Sequence, residues 1–387
     1  MAVYWLLSVP AHGDGHIAWR DVKSKVVDSE LYDFSLPQFR IGTLDALVRL
    51  SDELSKFDTS YESMTGKLLD TLRNLTSASN AELSSLVTVD DKTVDQYLKT
   101  FSWNTSKYRA DRSLVEIVDQ IAEDMGAIDA ALKTKLTQYN AIKNSLATVK
   151  RKQTGNLSVK ALGGIVRREH CLVGSDYLQT VFVAVPRTLA KQWRNSYERL
   201  TDMVVPRSSQ LIAEDSEYSL FSAIVFKRVL DEFTNKARDA RFIVRDFEFD
   251  EQQLEQDRLH AMEIVEQEEE LLANISEWCK GSFSDVFAAW VHIKALRVFV
   301  ESILRYGIPP DFLPLLVKPN PKQAGKIKQS LSDFYAYLET SSRVSQRAGK
   351  GGKKEDAFDM HEFQSILSDF TPFVFFELPW TFLDAEH

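Results

Sequence analysis

Two cysteines in 387 residues, Cys171 and Cys279, are too few and too far apart to make a disulfide framework. A reducing cytosol is the expected compartment. Long apolar runs are also missing, and no stretch approaches the roughly 20 residues that a membrane span needs. The opening MAVYWLLSVPAHG has no basic segment and too short an apolar core for a secretory signal. No phosphate cradle can be built: Gly66-Lys67 and Gly325-Lys326 lack the upstream glycine and the following Ser or Thr. His12 and His16 are four residues apart, but Gly13-Asp14-Gly15 breaks helical geometry between them and no third ligand lies near. No G-x-S-x-G elbow occurs, and neither cysteine sits in a catalytic motif. The expectation is a chain with no catalytic residue, no cofactor and no metal.

Charge is present but segregated. Residues 130–160 carry seven Lys or Arg and no acid, whereas 248–270 carry ten acids and one Arg. The net charge of −9 equals that of the acidic segment alone, so the remainder is about neutral and offers no basic field for nucleic acid. Both segments read as amphipathic helix. Leu114, Ile117, Ile121, Met125, Ile128, Leu132, Leu136, Tyr139, Ile142, Leu146 and Val149 recur at steps of three and four. Leu254, Ala261, Val265, Leu272 and Ile275 repeat the pattern more weakly. Folded back as an antiparallel pair, Lys150, Arg151 and Lys152 face Asp250, Glu251 and Glu255, with Lys143 near Asp257. Lys133 and Lys135 then fall near Glu266, Glu268 and Glu269. Such exposed pairs contribute about 0.2–1 kcal/mol each, enough to select register while apolar packing supplies stability. Two independently solvated faces are the alternative.

The expected fold class is α+β, predominantly helical. It takes the form of an elongated dumbbell: a discontinuous foot from both termini, an antiparallel helical neck and an inserted α+β head. The expected divisions are 1–128 (foot), 129–157 (neck helix), 158–248 (head), 249–279 (neck helix) and 280–387 (foot). Residues 3–9 and 370–378 read as apolar strands that would share one sheet, with helices expected at 43–56, 60–76 and from Asp91 toward Lys99. In the insert, 177–185, 218–227 and 242–249 read as strands, separated by helices at 188–203 and 228–240. Residues 283–306 form the most apolar helix, ended by Gly307 and Pro309-Pro310. On it Arg297, Glu301 and Arg305 stand at i, i+4 and i+8, a spacing that lets Glu301 bridge both guanidinium groups in a structural ladder. His292 lies on a mostly apolar face and reads as a satisfied core residue.

Two segments are candidate partner surfaces. VVPRSSQLIAED (204–215) combines a Pro-fixed turn, an Arg and two hydroxyls in Pro206, Arg207, Ser208 and Ser209. It is a candidate edge of the insert, or simply a well-capped turn. TSSRVSQRAGKGGKKEDA (340–357) has no core formers and carries Arg343, Arg347, Lys350, Lys353 and Lys354, which reads as a solvated loop or a dock for acidic partners.

Several long segments, in this order, resemble the C subunit of vacuolar-type proton-translocating ATPases (V-ATPases): IGTLDALVRLSDELSKFD (41–58), RKQTGNLS (151–158), MVVPRSSQLIAEDSEYSLF (203–221), RFIVRDFEFD (241–250) and WVHIKALRVFVESILRYGIPPDF (290–312). The resemblance covers essentially the whole chain. It implies a non-catalytic stator subunit that joins peripheral stalks made of subunits E and G to the cytosolic N-terminal domain of the membrane-embedded a subunit. It also implies reversible separation of soluble and membrane sectors. The chain would then be peripheral on the cytosolic face of endomembranes when assembled and free in the cytosol when released. No nucleic acid and no direct membrane insertion are expected. Actin, reported as a ligand of some family members, supports the alternative reading of a cytoskeletal or tethering adaptor.

Overall fold

The computed structural model describes residues 3–77, 79–172, 174–338 and 371–379. The chain separates into two compact units, Met1–Thr134 with Asn274–His387, and Lys135–Ala273. Each has its own four-stranded antiparallel sheet, and the fold class is α+β with helix predominating. The basic residues Arg343, Arg347, Lys350, Lys353 and Lys354 lie outside the described residues.

The first unit is built on β1 (Val3–Pro10), which pairs with both β7 (Phe312–Lys318) and β8 (Val374–Pro379). Strand β2 (Glu30–Asp33) completes the order β2-β7-β1-β8. The two terminal strands do share one sheet, with Leu6 opposite Phe376. β1 is apolar at consecutive positions because both of its faces are covered. Trp5, Leu7 and Val9 pack with Ala18 and Val22 of α1 (Gly15–Lys25) and with Ile327 and Leu331 of α9 (Ala324–Phe334). On the opposite face Ser8 meets α8 (Glu251–Tyr306): its hydroxyl accepts from Ser302 Oγ at 2.7 Å and its carbonyl from Tyr306 Oη at 2.6 Å.

Where two helices are expected at 43–56 and 60–76, one continuous α2 runs Leu44–Thr76, started by the Thr43 side chain. Residues 57–60 contain neither Gly nor Pro, so nothing interrupts the hydrogen-bond ladder there. Likewise α8 runs unbroken through Gly281, which has nothing within 4 Å of the place a Cβ would occupy. Two short helices, α3 (Asn80–Leu86) and α4 (Val94–Lys99), both open with capping boxes. They precede the long α5 (Leu114–Thr154).

Asp58 of α2 is 4 % exposed and is the polar centre of this unit. Its carboxylate accepts from Trp290 Nε1 at 2.7 Å and from Lys294 Nζ at 3.0 Å, and it also pairs with Arg297. Lys294 donates a second hydrogen bond to the Glu377 carbonyl, and the Arg297 guanidinium lies over Phe376, so the cluster also holds β8. This corrects the expected ladder of Arg297, Glu301 and Arg305. Each reaches off its own helix: Arg297 to Asp58, Glu301 to the Ser51 hydroxyl, and Arg305 to the carbonyls of Thr371 and Phe373. Their role stays structural, but tertiary partners outcompete the intrahelical ones. A buried carboxylate with two cations gains more from pairing than an exposed i, i+4 contact supplies.

His292 is 2 % exposed and enclosed by Phe101, Trp103 and Tyr108. Nε2 accepts from the Asn104 amide at 3.1 Å, leaving Nδ1–H to donate to the Ala288 carbonyl at 2.6 Å. The satisfied neutral ring resists protonation, and burial pulls its pKa down to about 4. In the unfolded chain the same group titrates near 6.5. Stability is therefore intact above pH 6.5 and declines as the pH falls toward 4, by about 3 kcal/mol in all. In a histidine-selective NMR titration from pH 8 to 5, the His292 resonance is expected to stay fixed; a midpoint near 6.5 would contradict this environment.

The second unit contains an internal repeat. Strand β3 (Leu178–Pro186) leads through a 3-10 turn at Arg187–Leu189 into α6 (Ala190–Ser196). Forty positions later β5 (Tyr218–Phe226) leads through Lys227–Val229 into α7 (Leu230–Asp239). The two strands pair antiparallel with Phe182 opposite Ser222, themselves 40 apart, so a local pseudo-twofold axis passes between them. The turns obey it too: the Arg187 amide donates to the Glu217 carbonyl and the Lys227 amide to the Tyr177 carbonyl, both at 2.9 Å. Trp193 and Phe233 occupy equivalent places and pack together under the sheet with Val183, Ala223 and Phe242. The other face, Phe182 and Leu220, is covered by Leu157, Leu162 and Val166. Edge strands β4 (Gln210–Glu214) and β6 (Ile243–Arg245) give the order β4-β5-β3-β6.

Candidate functional site

The turn that precedes β4 is shaped by two left-handed residues, Met203 (φ 81°) and Arg207 (φ 57°). Before the turn the chain runs beside β5, with the Val205 amide donating to the Ile224 carbonyl at 2.9 Å. The structure divides the four residues singled out here. Ser208 Oγ donates to the Val205 carbonyl and accepts from the Ile224 amide; Ser209 Oγ accepts from Trp193 Nε1 at 3.0 Å. Both hydroxyls are thus consumed in closing the turn onto the core. Pro206 and Arg207 are exposed. The Arg207 amide is held by Glu198 Oε1 at 2.8 Å, and that bond keeps the Glu198 carboxyl below its usual range. Arg207 is exposed on this fixed backbone, and the same segment carries two exposed apolar residues, Met203 and Leu211. Pattern reading misses those two, since an isolated Met or Leu in a strand-like segment signals core.

Within the second unit, Tyr139 and Leu146 of α5 and Ile264 of α8 are buried. Tyr139 Oη donates to Glu268 Oε1 at 3.0 Å, and Lys143 Nζ lies over the Tyr139 ring. Among the described residues the expected contact ion pairs are absent: none within 4 Å joins Lys143, Lys150, Arg151 or Lys152 to Asp250, Glu251, Glu255 or Asp257. The acids have local duties instead. Asp250 caps α8 through the Gln252 and Gln253 amides, Asp257 accepts from Gln253, and Glu255 stands 3.9 Å from Arg258. Lys152, Glu251 and Glu255 line a common groove of about 950 Å3.

In the first unit His12 Nε2 lies 3.3 Å from Tyr337 Oη, while Asp14 caps α1 through the His16 and Ile17 amides. Among the described residues no three His, Cys, Asp or Glu side chains are grouped so as to hold a metal ion. Two surfaces among the described residues bear on function, the Arg207 turn and the α8 groove.

The V-ATPase C-subunit family model matches residues 4–374. The chain is 36% identical over 381 residues to the V-type proton ATPase C subunit of Manduca sexta, covering 98% of both chains. It is 36% identical over 345 residues to that of Saccharomyces cerevisiae, covering 89% of this chain and 87% of the yeast one. Against Caenorhabditis elegans the figures are 36% over 383 residues, with 98% of each chain covered. Among solved structures, the cytoplasmic N-terminal domain of a V-ATPase I subunit, described as a homolog of the a subunit, aligns over 87% of this chain and 98% of that one. Its TM-score of 0.30 and 12% identity are too low to bear on fold or partner. The family match extends from the first strand of the first sheet, through the whole second unit, to the strand that closes the first sheet; the chain belongs to the V-ATPase C-subunit family.

Proposed function

We propose that this chain is a non-catalytic stator subunit of a vacuolar-type rotary proton pump. It would bridge E–G peripheral stalks to the cytosolic N-terminal domain of the membrane-embedded a subunit. It would also take part in assembly and reversible release of the soluble sector, on the cytosolic face of endomembranes. The observation that carries this reading is the family match along nearly the full chain. The two separately built units support it, because a bridge needs two surfaces that do not share one core. No helix among the described residues is long and apolar enough to cross a membrane. Reversible release calls for standard-size contacts of roughly 1,600 Å2, whose strength is set by a few side chains rather than by area.

On the second unit the exposed Pro206–Arg207 turn with Met203 and Leu211 is the proposed stalk contact. An exposed Arg on a fixed backbone, in a segment that also exposes apolar side chains, suits an interface anchor. The purified chain is expected to co-elute with a recombinant E–G heterodimer on size exclusion, and Arg207→Glu to weaken that complex about tenfold or more. Failure of the unaltered chain to co-elute would sink the stalk assignment; unchanged binding by Arg207→Glu would remove only this turn.

A further inference from the structure

The groove in the second unit has an unused recognition surface. Most of its lining comes from α8, including the apolar residues Leu254, Ala261, Met262 and Val265. Val149 and Ala161 also line it, and at Gly163 a Cβ would meet Leu254 Cδ2 at 2.2 Å, so the 3-10 turn sits directly against the helix. Met262 is 61 % and Val265 40 % exposed. Five carboxylates share this lining, Glu251, Glu255, Asp257, Glu266 and Glu269, against two permanent cations, Lys152 and Arg258. Among the described residues, only Glu255 of these five has a cation within 4 Å, namely Arg258 at 3.9 Å.

We infer that the groove is a docking site for a basic amphipathic helix of a partner protein. Three features select that occupant. Uncompensated carboxylates among apolar lining residues favour Lys or Arg flanking an apolar stripe, and they repel acidic segments. From Glu251 to Glu269 the lining spans 18 steps of α8, about 27 Å, the length of five helical turns. The lining comes from helices and a 3-10 turn, with no strand edge among it, so an extended peptide would find no row of backbone partners. A helix satisfies its own backbone and needs only side-chain contacts. This site is separate from the Arg207 turn and does not depend on the stator reading.

The test uses the full chain and a fluorescein-labelled 18-residue peptide with Leu at every third or fourth position and Lys on both flanks. Two control peptides accompany it: a scramble of the same composition, and one with Glu in place of Lys. Anisotropy at physiological salt is expected to show the Lys-flanked helix binding at least about tenfold more tightly than either control. Met262→Glu with Val265→Glu should abolish that preference. Both positions are already solvent-exposed, so circular dichroism should be unchanged. Glu255→Gln, Glu266→Gln and Glu269→Gln together should weaken binding and flatten its salt dependence. Equal binding of the scramble would mean diffuse charge attraction and overturn the site. So would undiminished binding by the Met262/Val265 variant, or no binding at all.

Discussion

Replacing Asp58 by Ala is expected to cost the first unit about 3–5 kcal/mol, because it strands two cations in a site built to neutralise them. The Lys294 and Asp58 side chains are each 5 % exposed and Arg297 19 %, so water cannot take over the lost pairing. Trp290 would also lose the acceptor for its indole N–H. Burial already holds the Lys294 ammonium below its ordinary range, with Asp58 pulling the other way. In the variant the folded-state value falls further below that of the unfolded chain. The unfolded chain then binds the extra proton, so stability rises with pH toward 10.5. Denaturant melts at pH 7 and pH 10 check both parts. The deficit should be large at pH 7 and smaller, relative to the unaltered chain, at pH 10. A deficit below about 1 kcal/mol at pH 7 would mean the cluster is not the anchor described.

The second large effect is expected at Trp193. It is fully buried, stacks with Tyr197, contacts Phe233 and Phe242 edge-on, and donates to Ser209 at the Arg207 turn. Trp193→Ala should cost about 3–5 kcal/mol through the cavity it leaves. The damage should localise. Amide exchange is expected to accelerate in β3, β5, α6 and α7, while β1, β7 and the 283–306 part of α8 keep their protection. Trp193→Phe should retain most of the packing and lose the hydrogen bond to Ser209, costing about 1–2 kcal/mol. Uniform acceleration across both units would contradict the separateness of the two cores.

These cores are unequally legible in the sequence. β1 stands out because a strand covered on both faces is apolar at nearly every position, and β8, an edge strand, stands out through Val374, Phe375 and Phe376. β7 does not, because Pro314 lies inside it; it is tolerated opposite Ser8, where it still offers its carbonyl to Phe34. β2 and β4 are short, half-exposed edge strands whose composition resembles loop. The over-divided helices show a different limit. Asp58, Thr59 and Ser60 imitate a linker until Asp58 is seen to be consumed by partners from α8, more than 230 positions away. The same blindness turns Arg297, Glu301 and Arg305 into a local ladder, since spacing along a helix carries no information about the element packed against it.

At the partner surfaces, local sequence marks the Pro206–Ser209 turn but cannot tell which side chains face inward. Hydroxyl orientation is decided by Trp193 and Ile224, neither of which belongs to the motif. The charge blocks of α5 and α8 are plain in the sequence. What they frame, a groove with apolar lining rather than a set of ion pairs, is visible only in the folded chain.

The bridging role itself is tested most directly by a three-component reconstitution, followed by size exclusion with light scattering and cross-linking. The components are the intact chain, an E–G heterodimer and the soluble N-terminal domain of the membrane-embedded a subunit. A complex containing all three is expected. Cross-links from residues 203–211 should go to the stalk, and cross-links from the first unit to the membrane-sector domain. Mutually exclusive binding of the two partners, or both cross-linking to the same unit, would contradict a bridge.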